Sequence, residues 1–307
     1  MTENAHHILT GRRESACGVV YRLDTGDAGV GHAAWCPTRA ARAQAGSARV
    51  ARAEATVDEA LARARRLPEW VYFAPREDAF AADVAIERRD EVLRMMQRTL
   101  ARGVGIALTT RGTLRDAPGL VALARAWPGR LSVRVGVFSR DAAVEAKWEA
   151  GLGPASGRIA LAAALQEAGA TVALEIGPII PFVNDDARAL RDLLRAAARA
   201  GIRQIVPRWA EDSPGLVRQV EREISRSSGR MLAGWFNQSG ATRADGTRTV
   251  PFQARRQRRQ IIHDVARELG LTVVECRCVH EGAAAACITG PAVAREQLSL
   301  FGQERSA

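Results

Sequence analysis

The side chains of this 307-residue chain best suited by type to ligate a soft metal are its thiols, and there are five of them. Cys276, Cys278 and Cys287 gather near the end of the chain, with His280 among them. A zinc or iron–sulfur site needs four ligands at workable spacing. Cys-x-Cys, then eight residues, then a Cys fits no strong template. The alternative is that Cys276 ends a strand from Leu271 to Cys276, with Cys278 and Cys287 as small packing residues. Cys17 stands isolated and reads as a core residue. Cys36 lies in Trp35-Cys36-Pro37-Thr38-Arg39. His6-His7 reads as a solvated pair.

Other polar residues close segments of strand character. Apolar, β-branched stretches run over Glu69–Ala74, Val104–Thr110, Leu131–Val137, Thr171–Ile180 and Ile202–Trp209, with an earlier one over Ala16–Leu23. Asp78, Thr110-Arg111, Ser139 and Asn184 follow four of these, at carboxyl ends, where parallel α/β proteins keep their ligand sites. Asp78, Ser139 and Asp141 are equally well placed to cap helices or close turns. Between the strands, helical spacing places helices over Arg88–Arg102, Leu114–Trp127, a segment ended by Gly169, and Ala187–Ala200. Asn184-Asp185 is read as the cap of the last. Strand starts at 70, 104, 131, 171, 202 and 271, with one helix in every interval but the last, predict a parallel barrel or doubly wound sheet.

Three motifs in order resemble one family. Lys147-Trp148-Glu149 precedes Gly153-Pro154-Ala155-Ser156-Gly157-Arg158, and Pro178-Ile179-Ile180-Pro181-Phe182-Val183-Asn184-Asp185 follows the strand. Upstream stands Thr110-Arg111-Gly112-Thr113-Leu114-Arg115-Asp116. These are similar to the spore-photoproduct-lyase-like branch of the radical S-adenosylmethionine proteins, over roughly residues 29 to 210. The resemblance implies an α/β fold built as a partial (β/α)6-type parallel barrel, with an open doubly wound sheet as the second choice. Residues 1–47 form an N-terminal extension, 48–224 the barrel, 225–290 a hairpin with a basic helix and last strand, and 291–307 a tail. It also implies a cofactor pocket at Cys36, Asp78, Thr110, Arg111, Ser139, Glu149 and Asn184. Members of that family hold a [4Fe–4S] cluster on three cysteines spaced Cys-x-x-x-Cys-x-x-Cys and bind S-adenosylmethionine at the open iron. Cys36 matches the third position; Gly29 and Ala33 occupy the other two. No cofactor is therefore expected, and the pocket reads as vestigial.

The formal net charge is +10 and the pI about 10.6, which suits a polyanionic partner. All but one of the 44 basic residues are Arg, a bias that a GC-rich genome also produces. Ser225 to Gly229 reads as a flexible break. Beyond it, Trp235-Phe236 and Val250-Pro251-Phe252 flank an Asp245-Gly246 hairpin signal. Arg255, Arg256, Arg258 and Arg259 open the next helix, near Arg243 and Arg248. Two readings fit. One is a duplex-gripping device, with arginines on phosphates and Trp235 as an aromatic wedge. The other is a solvated helix face with ordinary core aromatics.

The tail contains Gln297-Leu298-Ser299-Leu300-Phe301, which resembles the pentapeptide by which bacterial polymerases and repair proteins dock on the DNA sliding clamp. Leu300 and Phe301 would anchor in an apolar pocket, Leu298 in a groove, and Gln297 at the rim. Chance places a fixed pentapeptide in such a chain with odds on the order of 10⁻⁴. The alternative is that the tail folds back to bury its apolar residues. No apolar run is long enough to cross a bilayer, Met1 to Arg13 is polar without an apolar core segment, and the odd cysteine count suits a reducing compartment. The expectation is a cytoplasmic, nucleoid-associated DNA accessory protein without radical chemistry. The alternative is a lyase-like repair enzyme with a [4Fe–4S] cluster held by unusual ligands and S-adenosylmethionine as cofactor.

Overall fold

A computed structural model describes residues 9–14, 18–23, 53–64, 67–73, 78–242 and 248–275. Among these residues, eight strands form one sheet in sequential order: β1 (Leu9–Glu14), β2 (Gly18–Leu23), β3 (Trp70–Phe73), β4 (Gly105–Thr110), β5 (Leu131–Val137), β6 (Thr171–Ile179), β7 (Gln204–Trp209) and β8 (Thr272–Val273). β1 pairs with β2 antiparallel, and every later neighbour pair is parallel. The helices are α1 (Ala53–Arg63), α2 (Ile86–Ala101), α3 (Pro118–Ala126), α4 (Ala142–Trp148), α5 (Ala155–Glu167), α6 (Ala187–Arg199), α7 (Pro214–Glu223), α8 (Arg226–Phe236) and α9 (Phe252–Glu268).

Strand alternation explains why this is a barrel segment and not a doubly wound sheet. Ile106 and Leu108, then Leu131, Val133, Val135 and Val137, then Val172, Leu174 and Ile176 all join one apolar cluster. The same cluster takes Leu61 of α1, Met95 of α2, Leu120 of α3, Leu165 of α5, Leu194 of α6 and Ile262 of α9. Those helices therefore share one face of the sheet. Residues between the clustered positions are small or polar: Ala107, Thr109, Ser132, Arg134, Gly136, Ala173, Glu175 and Gly177. A doubly wound sheet would need apolar residues on both faces.

A second cluster lies under the loops at the carboxyl ends. It joins Phe138, Trp148, Ile180, Leu216, Val220, Leu232, Phe236 and Val250. Here three expectations are corrected. Ser225 to Gly229 is no break: the Ser225 hydroxyl accepts from Ser228 N at 3.0 Å and starts α8. Gly229 lets α7 and α8 close up, since a Cβ there would lie 2.1 Å from Glu221 Cγ. Trp235 and Phe236 accordingly belong to a helix and do not flank a hairpin. The hairpin itself survives as an antiparallel bridge between Thr242 and Arg248; residues 243–247, Arg243 among them, lie outside the described residues. Finally, α6 is capped by Asp186, whose carboxylate accepts from Arg188 N and Ala189 N, and not by Asn184-Asp185. Those two are turned inward.

Candidate functional site

Four loops meet at the carboxyl end of the sheet, and buried polar residues hold them together. Asp78, 4% exposed, follows β3; its Oδ1 accepts from Thr110 Oγ1 at 2.7 Å, and its Oδ2 from the backbone N of Arg111. One carboxylate thus fixes the end of β4. Gly112 then passes Phe80 so closely that a Cβ would sit 2.1 Å from the Phe80 carbonyl oxygen. Thr113 bonds to Asp116 Oδ2 at 2.6 Å, and its methyl packs where a Cβ on Gly153 would come within 2.2 Å. The glycines of the two motifs are explained by this contact: the Thr110–Asp116 loop lies directly on the Gly153–Arg158 turn, and Leu114 N bonds to Gly157 O.

At the centre is a buried triad. Arg111 Nε donates to Glu149 Oε1 at 3.1 Å, and Arg158 Nη1 lies 2.7 Å from Glu149 Oε2. The three side chains are 6%, 0% and 1% exposed in chain order. Both guanidiniums also serve backbone carbonyls: Arg111 that of Gly177, Arg158 those of Gly153 and Gly136. The triad carries one net positive charge and ties β4, β5, β6 and the start of α5 to one carboxylate. Gly136 is part of the arrangement, since a Cβ there would press on Arg111 at 3.2 Å. Glu145, one turn earlier on α4, accepts from Ala155 N at 2.7 Å. Burial pushes its carboxyl up, against the lowering effects of that bond and of Arg158.

Asn184 locks the loop after β6. Its amide donates to the carbonyls of Phe138 and Pro178, at 2.9 and 3.0 Å, and its oxygen accepts from Ile180 N at 2.7 Å. The Gly177-Pro178 peptide is cis. Ser139 is buried and accepts from Asp141 N, while Asp141 caps α4. The expected pocket residues Asp78, Thr110, Arg111, Ser139, Glu149 and Asn184 are therefore brought to one end of the fold, but they bind one another and the backbone. Cys36 lies outside the described residues. So do Cys17, Cys276, Cys278 and Cys287 and the pentapeptide Gln297–Phe301. Among the described residues, no group of three or more His, Cys, Asp and Glu is placed to hold a metal ion.

The expected basic face divides. Arg255 is turned inward, 4% exposed, with its guanidinium over the Trp209 ring at 5.9 Å. Arg259 forms a bidentate pair with Glu275, Arg258 pairs with Asp185 at 2.9 Å, and Arg248 pairs with Asp212 at 2.8 Å. Arg256 is exposed, and the Arg248 side chain is 48% exposed. One feature of this rim was not legible in the residue order. Phe182, in the left-handed region at φ 71°, stacks on Trp235 with ring centroids 5.4 Å apart and planes 15° from parallel. A bulky residue at such a φ costs on the order of 1–3 kcal/mol and is held there by its surroundings. Here Asp185 Oδ1 accepts from Phe182 N at 2.9 Å.

The fold is an open parallel α/β barrel with its polar mouth at the strands' carboxyl ends, as in radical S-adenosylmethionine proteins. Solved structures of spore photoproduct lyase share it. A mutant with bound AdoMet and dinucleoside spore photoproduct superposes with a TM-score of 0.61 at 15% identity, covering 88% of this chain and 79% of that one. The lyase complexed with dinucleoside spore photoproduct gives 0.59 at 13% identity, covering 88% and 81%. No protein-family model matches the sequence, and a search of curated proteins by sequence finds no match.

Proposed function

We propose that this chain is a DNA replication or repair accessory protein: a radical S-adenosylmethionine-like barrel that binds DNA at its mouth without radical chemistry, tethered to the bacterial sliding clamp by Gln297–Phe301. The observation that carries this reading is a mismatch between fold and donor set. The fold is that of a lyase solved with a DNA lesion fragment, yet the cluster slot reads Gly29, Ala33, Cys36. One thiolate cannot hold three irons, so the donor set does not fit the cluster. The pocket residues support the same conclusion. Arg158 and Asn184 are buried and hydrogen-bonded to backbone carbonyls, and the buried Glu149 is ion-paired to both Arg111 and Arg158.

Anaerobic reconstitution with iron and sulfide tests this directly. The expected result is no cluster charge-transfer absorbance and no cleavage of S-adenosylmethionine. Iron-loaded, cofactor-cleaving protein would instead establish the second reading, a lyase-like enzyme with ligands drawn from Cys36, Cys276, Cys278 or Cys287. That reading is favoured by the likeness to a lyase solved with AdoMet.

DNA affinity should fall linearly in log–log terms with salt, as counterions are released. Arg248→Gln with Arg256→Gln is expected to lower that slope by about one per arginine. These two are chosen for their exposure: Arg256 is exposed and the Arg248 side chain is 48% exposed, whereas Arg255 is buried and the Arg259 side chain is only 29% exposed. A flat salt dependence in the wild type would contradict DNA binding.

A further inference from the structure

We infer that the Phe182–Trp235 stack is a platform for an unpaired nucleobase, so that the ligand of this mouth is single-stranded or locally unpaired DNA and not intact duplex. The inference rests on the DNA reading above and specifies the form of DNA bound. Three observations converge. Phe182 is half-buried and belongs to neither apolar cluster, whereas Trp235 packs against the second one. Trp235 is thus a fixed base, and Phe182 is laid on it as a second ring at 5.4 Å. Phe182 is also held in a conformation that favours glycine, in a loop pinned by two buried polar side chains. Asp185 holds its N–H, and Asn184 holds the flanking carbonyl of Pro178 and the N–H of Ile180.

The third observation is charge beside the rings. Asp185, which fixes Phe182, is itself paired with Arg258. Arg248 donates to the side chain of Asn237, two residues past Trp235, at 2.7 Å. The Arg258 side chain is 36% and that of Arg248 48% exposed. Each guanidinium has five donors, so it can keep its carboxylate and still offer N–H groups to a phosphate. A base laid on the outer face of Phe182 would extend the stack by one ring, with the adjoining phosphates toward Arg248 and Arg258. Stacking is tolerant of base identity, so sequence selectivity is not expected.

Phe182→Gly provides the test, because glycine adopts positive φ freely and removes the ring without asking the loop to refold. Full-length wild type and variant are titrated against fluorescent single-stranded oligonucleotide, matched duplex, and the same duplex carrying a central three-base mismatch. Melting temperature is measured alongside. Wild type should prefer the single strand and the mismatched duplex. Phe182→Gly should lose about tenfold in affinity for both, as expected for one base–aromatic stack, while matched duplex binding and melting temperature hold. Trp235→Leu should reproduce the loss. Equal affinity of wild type for matched and mismatched duplex, or unchanged single-strand binding by Phe182→Gly, would overturn the platform while leaving DNA binding intact. Wild type that binds none of the three DNAs would overturn the DNA reading, and the platform with it.

Discussion

Glu149→Gln is expected to lose about 3–5 kcal/mol of stability, the cost of breaking a buried ion pair from one side. For a chain of this size that lowers the melting temperature by on the order of 10 °C. The carboxylate is fully buried and is shared by Arg111 and Arg158. Remove its charge and two guanidiniums are left facing each other in a poorly solvated interior. Neither can move to water, because each is also bonded to backbone carbonyls of the mouth. Thermal or urea unfolding of the variant measures the effect. A double variant, Glu149→Gln with Arg158→Met, should recover part of the loss by removing one uncompensated charge. An unchanged melting point for Glu149→Gln would show that the triad is well hydrated and that the loops are held by their backbone contacts alone.

Leu300→Ala with Phe301→Ala should abolish co-purification with the sliding clamp and leave the melting temperature unchanged. In a docked extended peptide these two side chains are the buried anchors, and truncating anchors removes most of the binding energy. The barrel's own stability should not respond, since surface substitutions normally stay within about 0.5 kcal/mol. Gln297→Ala is expected to weaken binding less, as a rim hydrogen bond. If the double variant instead melts lower and still binds the clamp, Leu298, Leu300 and Phe301 are packed on the protein itself, and the tether is abandoned.

Much of the architecture was legible because strands and helices write their periods into the chain. The six parallel strands β3 to β8 fall where the apolar runs place them, and α2, α3, α5 and α6 start and end within a few residues of expectation. The interval between β5 and β6, however, holds a further helix, α4, where one helix was expected. The last strand is shorter than Leu271–Cys276, at Thr272–Val273, with a separate bridge at Glu275. Capping was legible only by residue type. Asn184, Asp185 and Asp186 are all good caps, and only the packed loop decides that Asp186 caps while its neighbours fix β6 and Phe182. Ser225 misled for the same reason: a serine that starts a helix and a serine in a linker look alike until something packs behind them.

By itself, the order of residues determined the alternation of strand and helix, the single thiol in the cluster slot, the excess of arginine and the clamp-type pentapeptide. Each is a property of residue type and near spacing. Tertiary structure decided the rest. It put α1, α2, α3, α5, α6 and α9 on one face, joined Arg111, Glu149 and Arg158 across 47 residues of chain, buried Arg255, and laid Phe182 on Trp235. Burial and pairing at a distance depend on which surfaces meet, and that information is spread over the whole sheet.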